Sequence, residues 1–325
     1  MAKEARAHSG QRAPQMPPRI LCIGQPVRDL TFRVQSLPER GSKANVDHFA
    51  QICGGNSLNA AIGIARLGGR ASLCGPMGDA AETASRYIFE QLASEGIDTS
   101  HIVHMPGAVT PISAFMIDES GERTGVTYRD PKLWDVKLPP ADVLLKDCAA
   151  VLAESRCAEF CTDLCAEAIV RGIPVIIDVD RAMTMRDALL TGSTHLVFSS
   201  EPLLETTGCQ DEGEALKRVA KLTPAFLAGT RGPRGTIWLD EQGELQETPA
   251  FAVQAVDTLG AGDIFHGAFA LAIAERQDLR LALQFASAAA ALKCTRFGGA
   301  SGAPQRLEVE ELLRRDSPDA RTTAS

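Results

Sequence analysis

Asp257-Thr258-Leu259-Gly260-Ala261-Gly262-Asp263-Ile264-Phe265 separates two apolar segments of different character. Residues 251–256 before it lean toward β structure, whereas 264–274, rich in Ala, Phe and Leu, read as a buried helix. A glycine-punctuated turn from strand to helix leaves backbone N–H groups unpaired at the helix start. With the positive end of the helix dipole, those donors form an anion site. Asp263 stands in the same turn. It could simply cap the helix, but a cap has no use for Asp257, Thr258 and two glycines at fixed spacing. A carboxylate beside an anion site suits a reaction that removes a proton there, and phosphoryl transfer with Asp263 as base is the reading adopted.

Outward from this turn, the chain alternates strand and helix. Residues 150–153, 174–178, 195–198 and 225–228 are short apolar runs, each followed by a helical or turn segment. Such alternation predicts a parallel sheet covered by helices on both faces. Residues 19–24 form a buried first strand ending in Gly24, and 71–75 form another. Asp29 lies just past the first strand, where residues of a parallel sheet face the ligand crevice. Segments 30–34 and 45–52, and 112–117 and 124–128, read as two hairpins forming a lid, spanning about 29–52 and 111–130. Gly54-Gly55-Asn56-Ser57 opens a helix that ends at Gly68-Gly69; Asn56 or Ser57 could cap it, but Asn59 lies a turn too late for that. His101 and His104 read as surface imidazoles.

The 325 residues, with 45% hydrophobic and 23% charged, suit one large α/β domain, placed at 19–314. Residues 1–18 read as a disordered leader and 315–325 as a disordered tail. The net charge of −8 argues against nucleic acid or an anionic membrane as partner. No apolar run is long enough to span a bilayer, and the expected location is cytoplasmic. Nine cysteines, an odd number, are expected as reduced thiols. Cys157, Cys161 and Cys165 are spaced along one helical face, but without an evident fourth ligand they read as buried structural thiols rather than a metal site.

Two other glycine-loop chemistries fail on the string itself. The P-loop needs Gly-x-x-x-x-Gly-Lys-Ser/Thr, and the dinucleotide fingerprint needs Gly-x-Gly-x-x-Gly after the first strand; neither is present.

The 257–265 stretch resembles the C-terminal signature of the ribokinase-like (PfkB) carbohydrate kinases. The stretch from Gly54-Gly55-Asn56-Ser57-Leu58-Asn59 through Ala65-Arg66-Leu67-Gly68 resembles the N-terminal signature of the same family. The resemblance runs from Ile20 to Leu313 and implies a three-layer helix–sheet–helix sandwich with a mostly parallel central sheet and a small inserted β lid. It implies ATP-dependent phosphorylation of a sugar hydroxyl, with magnesium as the companion of ATP. Asp263 would be the general base, and the Gly260, Ala261 and Gly262 backbone the anion hole. Asp29, Gly54, Gly55, Asn56 and Asn59 would meet the sugar. Thr230, Gly232 and Gly235 resemble the nucleotide loop of the family. Asp257 would belong to a loop that binds a monovalent cation such as potassium. Glu201, or Glu205, would hold a magnesium-bound water.

Residues 285–299 look more like ketose kinases, including sulfofructose kinase, than ribokinase proper. The expected substrate is a ketose; 2-keto-3-deoxygluconate and ribose are alternatives, and a nucleoside kinase or an inactive sugar-binding homologue stands further off. An anionic sugar end would need a cation from Lys43, Arg129 or Arg156, of which Arg156 follows a strand and can reach the crevice, while Lys43 and Arg129 read individually as surface charges. The resemblance also implies a homodimer that pairs through the lid.

Overall fold

The computed structural model describes residues 16–46, 48–119 and 123–316. Most of the expected leader and tail lies outside these residues; 315 and 316 close the helix Arg306–Asp316.

Among the described residues, thirteen strands build two sheets. In chain order they are β1 (Arg19–Ile23), β2 (Val27–Arg33), β3 (His48–Gly54), β4 (Arg70–Met77), β5 (Asp98–His104), β6 (Ile112–Ile117), β7 (Arg123–Tyr128), β8 (Cys148–Glu154), β9 (Val175–Val179), β10 (His195–Ser199), β11 (Phe226–Thr230), β12 (Thr236–Leu239) and β13 (Leu245–Thr248). The large sheet runs β13-β12-β11-β10-β9-β8-β1-β4-β5, parallel except for the β11–β12 and β12–β13 pairs. Its layers follow from side-chain alternation: Ile20 and Cys22 enter one core, and Leu21 and Ile23 enter the other. The first core lies under the helices Asn56–Arg66, Ala261–Ala274 and Leu279–Cys294, the second under Ala158–Val170, Ser200–Thr207 and Glu212–Val219. This is the ribokinase-like three-layer fold expected from the sequence.

The four-stranded second sheet runs β3-β2-β6-β7, with the two hairpins joined by a parallel β2–β6 pair. The expected lid is therefore one continuous sheet. Asp29 lies inside it rather than in the loop after β1, opposite Ile52 and Ser113.

Two expectations need correction. Residues 251–256 are not a strand; they lie beyond the edge strand β13, and 252–256 are exposed. The apolar composition there signals a crossing loop, and Val256 N–H donates to the Cys294 carbonyl rather than to a sheet neighbour. His101 and His104 belong to the edge strand β5 and are half-buried. His104 stacks on Phe89 at 5.2 Å and its Nδ1 meets the Gly78 carbonyl at 2.9 Å.

All nine cysteines are free, and Cys157, Cys161 and Cys165 are buried among aliphatic side chains of the second core. Burial pushes the Cys157 thiol well above its ordinary value, as apolar packing requires. Among the described residues no helix is long and apolar enough to cross a membrane.

Candidate active site

Strands β8 and β9 of the parallel sheet end at the candidate site, and two helix N-termini meet there. The first belongs to Ala261–Ala274. Its cap is Gly260, held at φ 79° in the left-handed region that glycine adopts without cost. Asp263 is therefore in the first helical turn and is not the cap, which removes the plainest explanation for it. Ala261, Gly262 and Asp263 present the first N–H groups of the helix, where the dipole amounts to about half a positive charge. A methyl group placed on Gly262 would meet nothing within 4 Å, so the space beside this turn is open.

The second N-terminus belongs to Asn56–Arg66. Gly55 caps it at φ 97° and ψ 133° and contributes no side chain. Asn56 and Ser57 do not cap the helix; they reach outward. Asn56 Nδ2 donates to Asp178 Oδ2 at 2.9 Å and Asp180 Oδ2 at 3.0 Å, and Ser57 N–H donates to Glu154 Oε1 at 2.9 Å. Asn59, one turn on and buried, donates from Nδ2 to Asp263 Oδ2 at 2.7 Å. The sequence separation of 204 residues is thus closed by a single charge-assisted hydrogen bond. Asn59 Nδ2 also lies 3.5 Å from where a Gly260 side chain would begin, so it touches both the base candidate and the anion turn.

Residues 17–306 match the pfkB family of carbohydrate kinases. The chain belongs to that family. A ribokinase from Bacillus subtilis (strain 168) is 29% identical over 300 residues, covering 90% of this chain and 99% of its own. Fructokinase-1 of Oryza sativa subsp. japonica is 28% identical over 303 residues, covering 84% and 91%. A solved structure from Agrobacterium tumefaciens, provisionally assigned as a ribokinase, superposes with a TM-score of 0.87 at 37% identity, covering 92% of this chain and 98% of that one.

In this pfkB kinase, Asp29 is buried and its carboxylate lies against Gly54: a methyl group on Gly54 would come within 1.9 Å of Asp29 Oδ2. The lid thereby brings Asp29 to the entrance of the Asn56 helix. Arg156, expected to reach an anionic sugar group, ion-pairs with Asp180 and lies 3.6 Å from Glu154. Arg129, expected at the surface, is half-buried, and its Nε has no hydrogen-bond partner among the described residues. Burial and then the neighbouring Arg156 charge lower the Arg129 guanidinium, with Glu154 and Asp180 partly offsetting them. Lys43 is exposed.

The nucleotide-loop candidates follow β11. Thr230 Oγ1 donates to the Phe198 carbonyl at 3.3 Å. Gly232 faces open space, whereas a side chain on Gly235 would come within 2.1 Å of the Thr248 carbonyl. Glu201 and Glu205 are exposed on Ser200–Thr207, close to this loop in the sheet order. Among the described residues no three His, Cys, Asp or Glu side chains cluster as a metal site.

The sequence reading missed four residues here: Glu154, Asp178, Asp180 and His266. Three are carboxylates at the ends of parallel strands, a position that was itself the available signal. Burial drives the Asp178 carboxyl above its ordinary value; the adjacent His266 pulls it down, and Asp180 and Asp263 push it up. His266 Nε2 lies 3.4 Å from Asp178 Oδ1, and its Nδ1 meets the Gly262 carbonyl at 2.7 Å. Burial also raises Glu154 to about 7, against the Ser57 N–H and Arg156. Asp257 is different in kind: its carboxylate accepts from Leu259, Gly298 and Gly299 N–H groups and pairs with the buried Lys293 ammonium.

Proposed function

We propose that this carbohydrate kinase transfers the γ-phosphoryl group of ATP to a primary hydroxyl of a ketose, with Asp263 as general base. The observation that carries this reading is the Asn59–Asp263 hydrogen bond at the open N-terminus of the Ala261 helix. Asn59 donates to one carboxylate oxygen and so orients the group. The Gly260, Ala261 and Gly262 backbone N–H groups face charge that develops on the transferring phosphoryl group. Such a reaction is dominated by positioning and charge stabilisation.

Asp29, Gly54, Gly55, Asn56 and Asn59 hold the sugar; carboxylate and amide together suit neighbouring hydroxyls, since one accepts only and the other does both. Thr230, Gly232 and Gly235 border the nucleotide. Magnesium enters with ATP and neutralises its phosphates, and Glu201 takes one of its waters. A cytoplasmic location fits a chain with nine free cysteines.

Arg156 is already balanced by Asp180 and Glu154, which supports an uncharged ketose of the fructose type. Arg129 favours a second reading, a ketose with an anionic end such as sulfofructose, because among the described residues its half-buried guanidinium, unlike that of Arg156, has no carboxylate within ion-pair distance. A coupled ADP-release screen over fructose, sulfofructose, ribose and 2-keto-3-deoxygluconate separates them. The highest kcat/KM is expected for fructose; preference for ribose or 2-keto-3-deoxygluconate contradicts the ketose reading.

The lid supports a homodimer. Its face turned away from Asp29 carries a groove of about 430 Å³ lined by Phe32, Val34, Ala114, Met116 and Val126. Phe49, Val126 and Tyr128 are exposed to 53%, 74% and 52%. An apolar sheet face with two open edges is an aggregation hazard that pairing with a second copy removes. Sedimentation at micromolar concentration is expected to give a dimer, and a monomer would refute it.

A further inference from the structure

Lys293 is the one lysine among the largest fully buried side chains, at 0% exposure in the last turn of Leu279–Cys294. Its Nζ donates to the Asp257 backbone carbonyl at 2.7 Å and lies 3.1 Å from Asp257 Oδ2. A buried ammonium persists only where oxygen atoms replace its water shell, and here the same residue supplies a carbonyl and a carboxylate oxygen.

Asp257 is in turn the joint between two loops. Oδ2 accepts from Gly298 and Gly299 N–H groups, each at 3.0 Å, while Oδ1 accepts from Leu259 N–H at 2.8 Å. Burial alone would raise its carboxyl; the Gly299 and Leu259 N–H groups and the Lys293 charge outweigh burial and hold it below the ordinary value. The second loop is what Gly260 rests on: the Gly260 side-chain position lies 3.5 Å from Ala300 N and 3.7 Å from the Gly299 carbonyl carbon. Lys293, Asp257, the 298–300 loop and the Gly260 cap therefore form one contiguous chain of contacts ending at the anion turn.

The sequence reading placed a potassium ion beside Asp257. The residues do not fit it, because the oxygen atoms that would bind it are already turned to an ammonium. A second monovalent cation within about 4 Å of Nζ would meet a like-charge penalty on the order of a thousandfold in affinity.

We propose that Lys293 is a covalently tethered monovalent cation: its ammonium does beside Asp257 what a free potassium ion would do, positions the Gly260 turn through the 298–300 loop, and makes the enzyme independent of potassium. Lys293 is a positioning residue and touches no reacting atom. The inference rests on the kinase reading of the Gly260 turn, and its test keeps the two separable.

The wild-type protein is assayed by ADP release and by thermal melting in potassium, sodium and tetramethylammonium chlorides at one ionic strength. Turnover and melting temperature are expected to be the same in all three. Potassium-specific activation or stabilisation of the wild type overturns the proposal. Lys293→Met then removes the charge while keeping an unbranched side chain. Its turnover is expected to fall ten- to a hundredfold, the scale of a misplaced catalytic group. Potassium or ammonium chloride, but not tetramethylammonium, should restore part of it and raise the variant's melting temperature. A purely structural lysine would show no such rescue, so a folded variant indifferent to all cations overturns the idea. Should Lys293→Met fail to fold, the wild-type series decides. The melting arm needs no sugar, so it stands even if the kinase reading fails.

Discussion

Replacing Asp263 with Asn is expected to lower kcat on the order of a thousandfold, within the roughly 10²–10⁴ that a positioned base contributes, while leaving nucleotide affinity unchanged. Asn keeps the shape and keeps an oxygen to accept the Asn59 Nδ2–H bond now seen at 2.7 Å. What it loses is the capacity to take a proton from the acceptor hydroxyl. Backbone donors from Gly260, Ala261 and Gly262 stay, so the residual rate reflects positioning and anion stabilisation alone. Because those donors belong to the backbone and the substitution alters only a side chain, ATP titration by calorimetry should give the wild-type affinity. Wild-type turnover in the Asn variant would sink the mechanism.

Gly55→Ala is expected to be a strongly damaging single-methyl change at the sugar side of the site. Gly55 adopts φ 97° and ψ 133°, a region essentially restricted to glycine. The added methyl would also come within 2.3 Å of the Gln25 carbonyl oxygen and 3.3 Å of Val27 N, both backbone atoms that cannot swing away as a side chain would. Strain of about 1–3 kcal/mol and overpacking of about 1–3 kcal/mol combine to a loss of roughly 2–6 kcal/mol. For a chain of this size that lowers the melting temperature by roughly 3–10 °C. Activity should fall too, since Gly55 starts the helix carrying Asn56, Ser57 and Asn59, and a shift of about 1 Å there costs on the order of a hundredfold. Differential scanning calorimetry with steady-state kinetics reads both; a variant with unchanged melting temperature contradicts the account.

The architecture was legible because its signals are local. Alternating apolar runs and helical segments announce a parallel sheet, and the glycines at 54–55 and 260–262 mark the two helix starts where anions and hydroxyls can be held. Asn59 stood out because a polar residue a turn past the helix start, among apolar neighbours, needs a partner; the partner, Asp263, lies 204 positions away and no local pattern reveals it. The roles of Glu154, Asp178 and Asp180 were hidden for the same reason: each looks like an ordinary strand end until the sheet order brings the strands together. Arg156 has a partner of the same kind. Its position after β8 is local information, but its ion pair with Asp180, which follows the neighbouring strand β9, is not. Residues 251–256 misled because apolar composition does not by itself supply a neighbouring strand.

Lys293 was visible as a single lysine in an Ala-rich helix, yet sequence alone does not say whether such a side chain snorkels to solvent or is buried. Only its tertiary placement, against both the carbonyl and the carboxylate of Asp257, makes it part of the site. The Gly260 turn, first a possible helix cap with a nearby acid, is now supported from one side by Asn59 and from the other by the Asp257–Lys293 joint.

The most direct test of the central claim is phosphorus NMR of the wild-type protein with ATP, magnesium and fructose. The account predicts a phosphomonoester resonance that grows in step with ADP and is absent without sugar. ADP accumulating with inorganic phosphate and no sugar phosphate, for fructose and for every other sugar tried, would contradict it.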